Sequence, residues 1–362
     1  MSTIKIGIVG CGDISGIYLK NITNLFKEIE IIGVCDLIEE KAKKAVEEYH
    51  MPKLYADMYE LFADEEVDIV LNLTRPYEHY GVTKEAIKAK KHVYSEKPLA
   101  ATLEEGKELV ALAKESNVRI GGAPDTFLGA GLQTCRKLID AGFIGTPVGA
   151  SAFMVCRGHE SWHPDPEFYY KHGGGPMMDM GPYYITALVS LLGGVQTVTG
   201  MSRISFPQRI ITSQPKYGEI VDVDVPTYTT GLMQFESGAI GTIFTTFDVM
   251  TAEVPRIEIY GSEGTLSVPD PNTFDGPVRL YRTKEEGFKE IPLTHDYKEN
   301  SRALGLADMA KAIQIGRKSR ASSELTYHVL EIMSGFETSA VSGKHVRIES
   351  QVECIESMVR GL

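Results

Sequence analysis

Two acidic and phenolic groups sit in an unusual setting in the tract "GGGPMMDMGPYY", residues 173–184, where Asp179 precedes Tyr183 by four positions. Residues four apart share one face of a helix, so both side chains can point the same way if a helix begins after the glycines. The glycines let the backbone turn closely beneath a ligand. A phosphate loop is the poorer reading, because no Lys-Ser/Thr pair follows them. Upstream lies "CRGHESWHPDPEFYYKH", residues 156–172, with the only tryptophan of the chain, Trp162, beside His163 and Asp165. An aromatic face packs on the apolar side of a ring-shaped polyol while polar neighbours meet its hydroxyls. A surface loop anchored by Trp162 is the alternative. His159, Glu160, His163 and Asp165 lack a ligand spacing, and no metal is expected. A third candidate is Lys97, between Glu96 and Pro98. Its ammonium can hydrogen-bond a hydroxyl and stabilise an alkoxide, or simply pair with Glu96 at a surface.

The elements that must position these groups fall into two patterns. Through about residue 123, short apolar runs ("IKIGIVG", "EIIGVCD", "VDIVLNLT", "HVYSEKP", "VRIGG") alternate with segments of helical spacing. That order predicts a parallel sheet with helices on both faces, and the nearly continuous apolar strands agree. "LTRPYEH" and "EKP" then lie at the carboxyl ends of strands, where open α/β sheets bind ligands. Beyond that point one helix and the strand "PVGASAFMV" lead to several strands joined by turns such as Ser237-Gly238 and Glu263-Gly264. These predict antiparallel neighbours. A helical stretch from about Ser301 to Ser342 closes the chain. The expectation is an α/β protein of two domains: a doubly wound parallel sheet over 1–123, and over 124–362 an α+β domain with an open, mostly antiparallel sheet for substrate and oligomer contacts.

The first strand runs into "GIVGCGDIS". Gly10 and Gly12 fill two positions of a GxGxxG/A pattern, and Ser15 stands at the third; Asp13 and Ile14 lie between. Gly10 allows the tight turn, Gly12 lets backbone approach a pyrophosphate, and a small third residue lets helix and strand pack. Asp36 ends the second strand, where a carboxylate accepts both ribose hydroxyls and repels a 2′-phosphate. NAD is therefore favoured over NADP.

Composition bounds the partners. A net charge of −12 disfavours nucleic acid and anionic membranes, and no apolar run reaches spanning length. Five scattered cysteines without a CxxC pair read as reduced thiols, and nothing at the start resembles a signal peptide, so a cytoplasmic location is expected.

Taken together, "GIVGCGDIS", "NLTRPYEH", "KHVYSEKPLA", "GGGPMMDMGPYY" and "IYGSEGTL" resemble the Gfo/Idh/MocA oxidoreductases, essentially end to end. The resemblance implies a Rossmann domain, NAD(P)-dependent oxidation or reduction of a sugar, polyol or similar carbinol, and a homodimer or homotetramer. It matches Lys97 to the lysine that touches nicotinamide and substrate, Asp179 to the substrate-side aspartate, and Thr74 and His79 to the loop under the nicotinamide; Glu96 belongs with them. Many members carry histidine where this chain has Tyr183. A phenol near pKa 10 is a weak base, but Lys97 and a cationic nicotinamide favour phenolate while Asp179 opposes it. The proton therefore goes to Tyr183, to Lys97 with Tyr183 orienting the hydroxyl, or to His163 or His172. Four functions stay open on this scaffold: a dehydrogenase of sugars, glycosides or cyclitols; a glycosidase using transient oxidation; a non-catalytic NAD sensor; a reductase of a non-sugar carbonyl.

Overall fold

Six short apolar runs become the parallel strands of one sheet in the computed structural model, which describes residues 3–359. They are β1 (Ile4–Val9), β2 (Ile29–Cys35), β3 (Lys53–Leu54), β4 (Ile69–Asn72), β5 (His92–Ser95) and β6 (Ile120–Gly122). Their order is β3-β2-β1-β4-β5-β6, so the winding reverses between β1 and β4. Ile6, Ile8, Val34, Ile69, Val70, Leu71 and Val93 are fully buried, because helices cover both faces of a parallel sheet. Those helices are α1 (Ser15–Asn24), α2 (Glu39–Tyr49), α3 (Met58–Ala63), α4 (His79–Lys88) and α5 (Leu103–Ser116). The Asp57 side chain caps α3 through the Tyr59 and Glu60 amides, and Thr102 and Glu105 form a full capping box on α5.

The second sheet is larger. After α6 (Ala130–Asp140) come β7 (Pro147–Val155), α7 (Pro176–Leu192) and β8 (Val195–Arg203), then a two-stranded ribbon of β9 (Gln208–Ile210) and β10 (Ile220–Asp222). The chain continues with β11 (Tyr228–Phe235), β12 (Ile240–Thr246), β13 (Ile257–Gly261), β14 (Gly264–Val268), β15 (Val278–Arg282) and β16 (Lys289–Ile291). Two helices follow, α8 (Leu304–Ile315) and α9 (Ser323–Ser342), and then β17 (Val346–Arg347). The sheet order is β16-β15-β14-β13-β7-β12-β11-β8-β17. Only the β7–β12 pairing is parallel; the hairpins at Ser237-Gly238 and Glu263-Gly264 are antiparallel, as their turn residues predict. Alternation sorts the faces. Met233, Phe235 and Ile243 are buried, whereas Leu232, Ile240 and Met201 are exposed. Phe336 of α9 packs on Gly200 and Gly231, where any Cβ would collide with it.

The expected closing helix is in fact two. α8 ends at Gly316, whose φ of +74° suits glycine, and α9 starts afresh at Ser323. By packing, one compact unit holds the described residues up to Leu128 together with Asn300–Tyr327, and the other holds Gly129–Glu299 with the described residues from His328. The physical reason is the fit of α8 to the first sheet. Met309 lies over Gly121, where a Cβ would come within 2.9 Å of its sulfur, and Ser322 bridges to Gly121. The five cysteines are free thiols, and no helix among the described residues is long and apolar enough to cross a membrane.

Candidate active site

The candidate residues form one group in each unit. In the first, β1 leads into Gly10, whose φ of +102° and contact with the Leu73 backbone exclude a side chain; a Cβ would lie 2.9 Å from the Leu73 carbonyl. A Cβ on Gly12 would meet nothing within 4 Å, so open space lies over the loop where a diphosphate must approach backbone. Ser15 is buried and bonds back to the Gly12 carbonyl through both its amide (3.0 Å) and its hydroxyl (2.7 Å), filling the small third position. Asp13 and Ile14 are exposed beside it. The first turn of α1 has neither a side-chain cap nor an acidic residue, which suits an anion. Asp36 is fixed at the end of β2: its Oδ2 accepts from the Cys11 amide (2.6 Å) and its Oδ1 from the Ile38 amide (2.7 Å). Each carboxylate oxygen retains a second lone pair for a ribose hydroxyl. This loop fits NAD.

The neighbouring turns are held from within. The Thr74 amide and hydroxyl both donate to Asn72 Oδ1, at 3.2 and 2.7 Å. His79 is fully buried, with Nδ1 2.7 Å from the Pro98 carbonyl and Nε2 3.0 Å from that of Thr74. Burial lowers its pKa, against the two carbonyls that raise it. Its ring thus ties the Thr74 loop to the turn after Lys97. Glu96 is also buried; Oε1 accepts from the Tyr18 hydroxyl (2.7 Å) and Oε2 from the Lys97 amide (3.0 Å). That carboxylate anchors the half-buried Lys97 through the backbone. Asp125 is buried as well, accepts from the Gly305 amide at 3.0 Å, and has its pKa pushed up to about 6, chiefly by burial.

In the second unit the glycine tract earns its composition. Gly173 and Gly175 have φ of +81° and +88°, and a Cβ on Gly174 would lie 2.4 Å from the Phe168 carbonyl oxygen. The chain then enters α7 at Pro176, as expected, with Asp179 in its first turn and Tyr183 one turn on. Asp179 is largely buried and Tyr183 buried. His159 is one residue that meets Asp179: its Nε2 lies 3.5 Å from Asp179 Oδ2. The imidazole is stacked on Tyr169 (centroids 3.8 Å), meets Phe247 edge-on (4.7 Å) and lies 5.3 Å from Trp162. Trp162 is 62% exposed, which leaves its ring available to a ligand. His163 lies edge-on to Trp162 and its Nδ1 accepts from the Asp165 amide at 3.0 Å, while His172 is exposed. Beneath them Glu160 accepts from Tyr170 and from Arg209 (2.9 Å), which also pairs with Asp248. The contact of His159 with Asp179 is not legible in the sequence, because no spacing along the chain announces it. Among the described residues, no group of three or more His, Cys, Asp or Glu side chains gathers to hold a metal.

Comparison with known proteins adds to this geometry. Residues 4–122 match the family model described as an oxidoreductase family with an NAD-binding Rossmann fold, and residues 132–267 match the GFO/IDH/MocA C-terminal domain. The scyllo-inositol 2-dehydrogenase (NAD(+)) of Bacillus subtilis is 26% identical over 321 residues, covering 87% of each chain. The D-xylose dehydrogenase of Paenarthrobacter nicotinovorans is 25% identical over 298 residues, 79% of this chain and 75% of that one. The crystal structure of an NAD binding oxidoreductase from Klebsiella pneumoniae superposes with a TM-score of 0.84 at 23% identity, covering 97% of this chain and all of that one, and so shares the fold.

Proposed function

Since the chain belongs to the GFO/IDH/MocA family of NAD-binding oxidoreductases, we propose that it is a dehydrogenase acting on a secondary alcohol of a sugar, glycoside or cyclitol. The observation that carries the cofactor half is the loop of Gly10 and Gly12 beside the fixed carboxylate of Asp36. The substrate half draws on the aromatic segment around Trp162 and on relatives named for xylose and scyllo-inositol. NAD, when bound, supplies the hydride acceptor. Gly10, Gly12, Asp13, Ile14, Asp36, Thr74 and Glu96 are the proposed cofactor residues, with His79 holding the Thr74 loop. Lys97 hydrogen-bonds the substrate hydroxyl and steadies negative charge on its oxygen as the proton leaves. Asp179 and Tyr183 are assigned to the substrate side, with Tyr183 the first candidate for the proton and Lys97 the second. Trp162 and His163 complete the proposed substrate residues.

We further propose a cytoplasmic homodimer or homotetramer, using the exposed face of the large sheet. The enzymatic reading is tested by following NADH with a panel of sugars, inositols and glycosides, while assaying the same wells for released aglycone. NADH should form with one group, and Lys97→Met should lower kcat by about 10²- to 10⁴-fold with NAD affinity nearly kept. Aglycone release at constant NADH would instead support transient oxidation. Tight NAD binding with neither product would sink the enzyme reading.

A further inference from the structure

We propose that the β9–β10 ribbon positions the aromatic segment around Trp162, and that its Arg209 and Lys216 are positioning residues that set how tightly a sugar or cyclitol is held there. The proposal rests on the reading of Trp162 as a substrate residue. It starts from the segment itself. Residues 156–172 join β7 to α7, and the regular backbone in them is one 3₁₀ turn at Glu167–Tyr170. A stretch with so little backbone pairing of its own takes its shape from the groups around it. Its rings form one cluster. Tyr169 stacks on His159 (centroids 3.8 Å) and lies 4.0 Å from Phe168, while Trp162 lies 5.3 Å from both His159 and His163. A ring that receives a ligand works best when its plane is fixed beforehand.

The ribbon supplies that fixing. β9 and β10 form a sheet of their own, apart from the large one. The Thr212 and Ser213 amides donate to the Glu160 carbonyl, at 2.8 and 3.0 Å, and the Ser213 hydroxyl donates to the His163 carbonyl. Those two carbonyls bracket Trp162 along the chain. Arg209 adds a crosspiece. One guanidinium nitrogen donates to Glu160 Oε1 (2.9 Å), and another to Asp248 and to the Phe247 carbonyl (3.2 Å). Phe247 is the ring that meets His159 edge-on, and Glu160 Oε2 accepts from Tyr170. At the outer end Lys216 donates to Asp165 (2.8 Å) and Glu167 (2.9 Å), and the Asp224 amide donates to the Tyr170 carbonyl (2.9 Å). The side chains of Arg209, Glu160 and Asp248 are 10%, 15% and 5% exposed. Burying such a trio adds little net stability, because desolvation offsets the attraction. The planar fork of arginine supplies direction instead, which a flexible ammonium does not. A ring held in place before the ligand arrives loses less freedom on binding, so the gain falls on affinity and not on the chemical step.

Trp162 is the only tryptophan of the chain, so tryptophan emission reports this ring alone. In the full-length protein, time-resolved anisotropy should show a ring that tumbles with the whole molecule in the wild type. It should be clearly freer in Arg209→Lys and Lys216→Glu, with far-UV circular dichroism unchanged. Kinetics with NAD and with scyllo-inositol or D-xylose as probes give the functional arm. Arg209→Lys should raise KM by about 10-fold and keep kcat within about 2-fold, and Lys216→Glu, in a more exposed pairing, should raise KM by about 3-fold. Adding Asp165→Lys and Glu167→Lys to Lys216→Glu should restore both anisotropy and KM, a repair that general unfolding would not show. Anisotropy equal to the wild type in both variants overturns the proposal. So does a KM that both variants leave unchanged while Trp162→Ala raises it, or a loss that falls on kcat alone. A Trp162→Ala enzyme with wild-type KM removes the underlying reading of Trp162, and the proposal with it. If neither probe yields NADH, binding is read from the change in Trp162 emission on adding each probe, and an unmoved emission removes that reading likewise.

Discussion

Asp36 shows how one side chain serves two ends. Both its oxygens accept backbone amides, one from the glycine loop at Cys11 and one from Ile38 after β2. The carboxylate therefore shapes the loop as well as offering lone pairs to a ribose. Removing it should cost two charge-assisted hydrogen bonds as well as the ribose contacts. Asp36→Ala is expected to weaken NAD binding by about 10- to 100-fold and to narrow the preference over NADP, measured by calorimetric titration of both. Unchanged affinities would mean that neither ribose hydroxyl meets this carboxylate.

At the scale of elements, α8 depends on a buried acid. Its N-terminal amide at Gly305 bonds to Asp125, and Gly305 itself is required because a Cβ there would lie 2.2 Å from the Tyr94 hydroxyl. Burial raises the pKa of Asp125 from an ordinary value of about 3.9 to about 6. The folded chain thus binds this proton more tightly than the unfolded one. That contribution is complete below about pH 4, shrinks as pH rises, and is gone above about pH 6, a change of order 3 kcal/mol. Asn keeps an acceptor for Gly305 and cannot ionise. Asp125→Asn should therefore gain stability relative to the wild type as pH rises from about 4 to 7, in paired thermal melts. A constant difference across that range would refute a raised pKa. The same sheet-and-helix logic explains the glycines before α7, whose positive φ and close carbonyls are demands of packing.

At the scale of the molecule, the large sheet buries one face beneath helices and leaves Met201, Leu232 and Ile240 exposed on the other, from 50% to 76%. Neighbouring Tyr228, Phe244 and Phe153 form an aromatic row there, with centroids 4.8 and 6.3 Å apart. Apolar residues so placed favour burial against another copy. Light scattering after gel filtration should report a dimer or tetramer, and Leu232→Lys with Met201→Glu should shift it toward the monomer. A wild-type monomer at micromolar concentration would exclude this face as a stable interface.

Much of this protein is legible in its sequence. The alternation of strand and helix, the glycine loop with Asp36, the two hairpins and the helical pairing of Asp179 with Tyr183 all depend on neighbours within a few residues, where periodicity and turn chemistry act. Three things are not: the return of α8 to the first sheet, the Asp125–Gly305 bond, and His159 against Asp179. Each joins residues that are distant along the chain, and their meeting depends on how whole elements pack. The same holds for which groups end up buried. Nothing in the sequence says that His79 and Asp125 are shut away from water, yet burial at 0% and 1% exposure is what makes one brace a turn and raises the pKa of the other. Local chemistry determined the elements and the candidate groups; only tertiary packing decided which of those groups meet and which are shut away from water.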